Sequence, residues 1–210
     1  MVKILLLLLC ALHVGAHGAE IAVAGVFIHV NGFLGNTDPE KFRSVLSESP
    51  QITTVVFENS NGGTVKAARG FADLISLKNL DTVVKGACHS GCAYAFLSGK
   101  KRTFSSGFQT NRMLLHVGRK VVKGDIVEYT DNDKLLDQIN FFTGNKLTDE
   151  IKELIRTSWT PASGVLITSI NYYFFNIQKV LYCDGSQGSD ASKCREINGV
   201  DPKALGILTD

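Results

Sequence analysis

Gly86-Ala87-Cys88-His89-Ser90-Gly91-Cys92-Ala93 is the stretch on which the fold of this chain turns. On its amino-terminal side, Asp81-Thr82-Val83-Val84-Lys85 is a β-branched run that predicts a buried strand. On its carboxy-terminal side, Ala93-Tyr94-Ala95-Phe96-Leu97 has no breaker before Gly99 and predicts a helix. The backbone must turn sharply between the two, and small residues occupy the positions where it does. Ser90 then stands at the first turn of the helix, where unpaired N–H groups and the positive end of the helix dipole favour negative charge. A serine so placed is either a nucleophile on a strand–turn–helix elbow or a plain N-cap.

Upstream, Thr53-Thr54-Val55-Val56-Phe57 predicts a second buried strand, which runs into Glu58-Asn59-Ser60-Asn61-Gly62-Gly63. A helix follows from Thr64 to near Leu77, with Ala67, Ala68, Phe71, Ala72, Leu74 and Ile75 as its core stripe. Earlier still, Ile21 to Val30 reads as one strand ending at Asn31-Gly32, and Asp38-Pro39-Glu40 opens a helix with Asp38 as its cap. Downstream, Met113-Leu114-Leu115-His116-Val117 is a strand that carries a histidine near its end. Strands alternating with helices predict an α/β fold on a largely parallel sheet, with functional loops at the carboxyl ends of the strands. Further on, helices are expected over 133–142 and 148–158, and strands over 165–167 and 172–175. The tail from Asn198 to Asp210 has no evident chemistry.

Of the 210 residues, 44% are hydrophobic and 20% charged, which fits one globular domain with its own core. The net charge of +2 comes from scattered Lys and Arg, so the footprint of a nucleic-acid binder is missing. No stretch of eighteen uninterrupted apolar residues argues for a membrane span. Residues 1–18 read as a secretory signal peptide: Lys3, the apolar run Ile4 to Leu12, and the exit Ala16-His17-Gly18 before Ala19. A lipid anchor at Cys10 is disfavoured, because the preceding Leu9 is not small. The expected mature protein is a single domain, 19–210, that is periplasmic or secreted.

Removal of the leader leaves Cys88, Cys92, Cys183 and Cys194. An even number in an oxidising compartment predicts disulfides. The polar loop between Cys183 and Cys194 suits local closure, which leaves Cys88 with Cys92 across the serine. On one helix those two Cα atoms would be about 6 Å apart, near the upper end of disulfide geometry. His89 with two cysteines is an incomplete zinc set, so no metal or other cofactor is expected.

Ser90, the Asn61-Gly62-Gly63 turn and His116 together offer a hydroxyl, open backbone amides and a base, the three parts that acyl transfer needs. Each also has a plain structural reading, as cap, turn and core histidine.

The residues resemble those of the Clp protease proteolytic subunit and its relatives in the Clp/crotonase superfamily. Glu58-Asn59-Ser60-Asn61-Gly62-Gly63-Thr64-Val65 is similar to that family's Asn-Ser-Pro-Gly-Gly-Ser-Val turn, with Asn61 in place of the proline. Gly86 to Ala93 resembles the stretch holding the nucleophilic serine, Gly99-Lys100-Lys101-Arg102 a Gly-x-x-Arg pattern, and Met113 to His116 the strand of the catalytic histidine. The likeness covers residues 23–118 best, and is greatest to exported bacterial Clp-like proteins whose serine also lies between two cysteines. It implies a fold of repeated ββα units and a serine peptidase acting on a peptide or protein substrate. Ser90 would be the nucleophile, His116 the base, and the amides of Gly62, Gly63 and Gly91 the oxyanion hole. The family's third catalytic member is an aspartate after a later helix; Asp149 and Glu153 are the carboxylates here, and 154–159 has none. A catalytically weak or inactive binding or assembly protein is therefore the alternative, with an acyl-CoA enzyme third, and homo-oligomerisation is left open.

Overall fold

A computed structural model describes residues 18–122, 125–128, 131–158, 160–172, 175–188 and 190–209, so residues 1–17 of the expected signal peptide lie outside the described residues. The chain opens with a hairpin, β1 (Glu20–Ala24) and β2 (Phe27–Asn31), where the sequence reads as one strand. Gly25 is the reason: its φ of +62° suits a tight antiparallel reversal. There follow α1 (Asp38–Glu48), β3 (Thr54–Ser60), α2 (Val65–Leu77), β4 (Asp81–His89), α3 (Gly91–Leu97), β5 (Arg102–Phe104) and β6 (Thr110–Leu115). A separate ribbon, β7 (Arg119–Val122) with β8 (Asp125–Glu128), precedes α4 (Asn132–Phe142) and α5 (Asp149–Arg156). The long hairpin β9 (Ser163–Tyr172) and β10 (Phe175–Asp184) and the short β11 (Arg195–Glu196) complete the fold.

The main sheet runs β1-β2-β3-β4-β6-β9-β10-β11, with β5 also on β4. Pairs β2–β3, β3–β4, β4–β5 and β4–β6 are parallel; β1–β2, β6–β9, β9–β10 and β10–β11 are antiparallel. The sheet is thus mixed rather than largely parallel, and repeated ββα units do not describe it. Hairpin connections at both ends enforce antiparallel pairing, whereas the centre is linked by helices that return the chain parallel. The centre is also where the serine turn lies. β4 bends at Gly86, so that Thr82–Val84 pair with β5 and Ala87–His89 pair with β6. The side chain of Asn111 fills the bend, accepting from Gly86 N–H at 3.1 Å and donating to the Ser105 carbonyl at 2.9 Å.

The apolar stripe of α2 is buried at all six expected positions, and Thr64 caps the helix by accepting from Ala67 N–H. Phe71 meets Phe42 of α1 at a centroid distance of 4.7 Å and Phe57 of β3 at 6.5 Å, which ties helices to sheet. Asp38 is not the cap of α1. Thr37 holds that position, and Asp38, with 0% exposure, accepts from Ala19 N–H and Gly35 N–H at 2.7 Å each. Among the described residues no helix is long and apolar enough to cross a membrane.

Candidate active site

β4 delivers its last residue, His89, directly into the turn, and Ser90 adopts φ +54°, ψ −122°. A non-glycine residue rarely takes that conformation, and it costs about 1–3 kcal/mol. Ser90 is held there by its own backbone: its N–H donates to the Leu114 carbonyl of β6 at 2.9 Å, and its carbonyl accepts from Tyr94 N–H at 3.0 Å. Its side chain caps nothing in α3, which removes the plain N-cap reading. Cys88 and Cys92 are bonded to each other across the turn, with Cα atoms 5.2 Å apart. The separation is shorter than the helical expectation because Cys88 belongs to β4 and only Cys92 to α3. Cys183 and Cys194 form the second disulfide, Cα–Cα 4.6 Å, and both bonds fit an oxidising compartment. With both sulfurs so engaged, neither Cys88 nor Cys92 is a thiolate ligand.

The Gly62-Gly63 turn lies against this elbow. A β-carbon on Gly62 would sit 2.8 Å from both the Ser90 Cβ and the His89 carbonyl oxygen, and Gly62 has φ +105°. Only glycine permits that approach. The Gly62 N–H donates to Ser60 Oγ at 3.3 Å, so Gly62 supplies proximity rather than a free donor. Gly63 differs: a β-carbon on Gly91 would lie 3.1 Å from the Gly63 nitrogen, so the Gly63 and Gly91 amides stand beside one another. Among the described residues neither amide donates to an acceptor. The turn is strapped from outside by Leu34, whose N–H donates to the Gly62 carbonyl at 2.8 Å and whose carbonyl accepts from Thr64 N–H at 3.1 Å.

His116 follows β6 directly and is 8% exposed. Its Nδ1 is 2.7 Å from the carbonyl oxygen of Val117. A carbonyl only accepts, so Nδ1 carries the proton and Nε2 keeps its lone pair. Burial pushes the imidazole pKa below its usual value; the Val117 contact partly offsets this, and Arg119 adds to the lowering. Asp149 and Glu153, the carboxylates considered for the acid role, sit in surface ion pairs of α5 with Lys152 and Arg156. Neither lines the cleft.

Ser90, Gly63 and His116 line one cleft of about 500 Å³, whose walls include Asn61, Thr64, Lys66, Arg119 and Pro161. Its inner end, about 30 Å³, is apolar and adds Gly91, Ala68, Leu135 and Ile139. No hydrogen bond joins the Ser90 hydroxyl to His116. His89 faces elsewhere, into a separate cavity of about 310 Å³ with Arg112 and the Cys183–Cys194 disulfide. Its Nε2 is buried without a partner, and burial, with His116 and Arg112 nearby, lowers its pKa to about 4. Sequence reasoning missed the Val117 carbonyl, which has no side-chain signature, and Arg119, whose only signal was lying three residues after His116.

No protein-family model matches the chain, and comparison with curated proteins finds no match. Solved structures do resemble it. A single-residue variant of ClpP1 from Listeria monocytogenes is 15% identical with a TM-score of 0.53, over 88% of this chain and 90% of that one. The unsubstituted Listeria ClpP1 is 14% identical over 88% and 89%, with a TM-score of 0.50. The ClpP protease catalytic domain from Plasmodium falciparum is 15% identical over 88% and 83%, with a TM-score of 0.51. At such identities the likeness is one of architecture, and in its fold this chain resembles the ClpP proteases.

Proposed function

We propose that the chain is an exported serine hydrolase acting on peptide or protein substrates, with residues 1–18 removed as a signal peptide and 19–210 as the mature domain. The observation that carries this reading is the strained Ser90 elbow, set beside two unengaged amides and in one cleft with an imidazole whose Nε2 is free. Strain of that kind is retained where the surroundings enforce it, and here a disulfide, a β6 hydrogen bond and the Gly62 contact all do.

The chemistry follows from the atoms. Ser90 Oγ attacks the scissile carbonyl carbon while His116 Nε2 takes the hydroxyl proton. Charge builds on the carbonyl oxygen, where the Gly63 and Gly91 amides donate, each such donor being worth roughly 10²–10³ in rate. The C–N bond then breaks, and the leaving amine takes the proton from Nε2. Water repeats the sequence to free the acid and restore the serine. The Val117 carbonyl fixes the productive tautomer, the orienting part of what a triad carboxylate does. It does not supply the negative charge that stabilises imidazolium, so turnover is slow, up to about 10⁴-fold below a complete triad.

The test is labelling with a fluorophosphonate followed by peptide mapping. The expected result is modification of Ser90, lost in Ser90→Ala and strongly slowed in His116→Ala. A folded protein that takes no label favours the second reading, a binding or assembly protein on the same fold. That reading draws on His116 having no carboxylate partner among the described residues.

A further inference from the structure

The cleft has a charge pattern that the hydrolase reading leaves unexplained. Arg119, at the start of β7, lines the same cleft as Ser90 and His116, and its Nη1 is closed off from solvent with no hydrogen-bond partner. It forms no ion pair with any described side chain. Lys66 lines the same cleft from the first turn of α2, also without an ion pair among the described residues. No carboxylate is among the described residues lining the cleft. The first turn of α2 has no acidic residue either, so a lysine sits at the positive end of a thirteen-residue helix, where cations are unfavourable. An arginine Nη1 shut off from solvent with no described partner is similarly unfavourable. Both costs vanish if an anion enters.

We propose that the cleft selects a substrate carrying a carboxylate close to its scissile bond, with Arg119 as the main partner of that carboxylate and Lys66 as the second. The proposal rests on the hydrolase reading for its rate consequence and on the charges alone for binding. An arginine fork matches a carboxylate in geometry as well as charge, which makes a side-chain or terminal carboxylate of a peptide the fitting group.

The rate consequence is specific. During attack His116 becomes positively charged, and the groups near it are Arg119 and His89, with Lys66 lining the same cleft. Glu128 is level with Arg119 in the β7–β8 register. Arg119 opposes the imidazolium, and no described carboxylate contacts the ring. A substrate carboxylate seated on Arg119 cancels that opposition as the transition state forms. The right substrate thus supplies negative charge that no described side chain provides at His116, and its effect falls on kcat as well as on KM.

Internally quenched peptides that differ only by Glu, Gln or Lys at each position flanking the cleaved bond test this. One position is expected to give Glu a kcat/KM about tenfold or more above Gln, with Lys lowest. Arg119→Gln abolishes the Glu preference, raises turnover of the Gln peptide, and shifts the acidic limb of its pH profile upward, because His116 becomes more basic. Arg119→Lys keeps part of the preference, which separates lost charge from misfolding, and Lys66→Gln weakens it from an exposed position. Binding of the fluorescent Glu peptide to Ser90→Ala, read by anisotropy, is independent of hydrolysis. Binding there that depends on Arg119 upholds the charge argument even if no fluorophosphonate label appears on the wild type. Equal cleavage and binding of Glu and Gln peptides, or a preference unchanged in Arg119→Gln, overturns the proposal while leaving Ser90 labelling intact.

Discussion

Two adjacent residues, His89 and Ser90, show how much one backbone turn decides. Had β4 simply continued, strand alternation would have sent them to opposite faces of the sheet; the left-handed Ser90 instead turns its hydroxyl into the cleft as α3 begins. His89 stays in the other cavity, neutral and without a partner for Nε2. Its pKa of about 4 compares with 6.5 when unfolded, so between those values the unfolded chain binds more protons. Stability therefore rises with pH across that window, is fully present above about 6.5, and is lost as pH falls toward 4. The full effect is about 3 kcal/mol, and His116, whose pKa is also lowered, acts in the same direction. Urea denaturation at pH 7 and 4.5 is expected to show this loss in the wild type. His89→Gln, which cannot titrate, removes about 2 kcal/mol of the difference. An unchanged difference places the pH dependence elsewhere.

At the scale of elements, the serine turn is a joint between β4 and α3 braced on three sides. The Cys88–Cys92 bond closes it, β6 holds its backbone, and the Gly62-Gly63 turn, itself strapped by Leu34, packs on its back. Much of this joint was legible: the small residues around Ser90, the start at Thr64 and the apolar stripe of α2, and the histidine after a strand of leucines. What was not legible depends on partners distant in sequence. β9 and β10 are ten residues each, yet polar residues such as Thr168, Ser169 and Asn171 interrupt their apolar runs, and their length comes from pairing with β6 and with each other. The β1–β2 reversal was hidden because apolar residues flank Gly25 on both sides. The brace gives a prediction. Loss of the short Cys88–Cys92 loop by Cys88→Ala/Cys92→Ala removes about 2 kcal/mol of chain-entropy stabilisation. It also loosens the strained turn, so fluorophosphonate labelling of Ser90 is expected to slow even where circular dichroism shows the protein folded. Labelling at the wild-type rate means that β6 and the glycine turn hold the elbow unaided.

For the whole molecule, the question is what closes the sheet at the end away from the cleft. The Gly-x-x-Arg pattern was read as a family mark, and the tail after Asn198 as lacking chemistry; in the fold the two belong together. Arg102, at the start of β5 and 9% exposed, donates to the carbonyls of Gly99 at 2.7 Å, Gly206 at 2.8 Å and Ile207 at 3.1 Å. Its backbone N–H donates to Thr209 Oγ1, and its carbonyl accepts from Thr209 N–H. Leu205, Ile207 and Leu208 are thereby seated in the main core. A guanidinium suits this task because its fork of donors reaches several carbonyls at once, which an ammonium on a flexible stem cannot match. Burial lowers its pKa, but an arginine remains charged, and the three carbonyls supply the polar surroundings that charge requires. Arg102→Met keeps most of the volume and removes all three side-chain bonds, leaving buried carbonyls unpaired. The expected loss is about 3 kcal/mol or more, given what hydrogen bonds to charged groups contribute. Hydrogen exchange should rise first at Leu205 to Thr209, while Ser90 labelling of the folded fraction stays at its wild-type rate, because neither cleft nor elbow touches the tail. Exchange that rises instead throughout the sheet, with labelling lost in step, would show the arginine holding the whole fold rather than the tail alone.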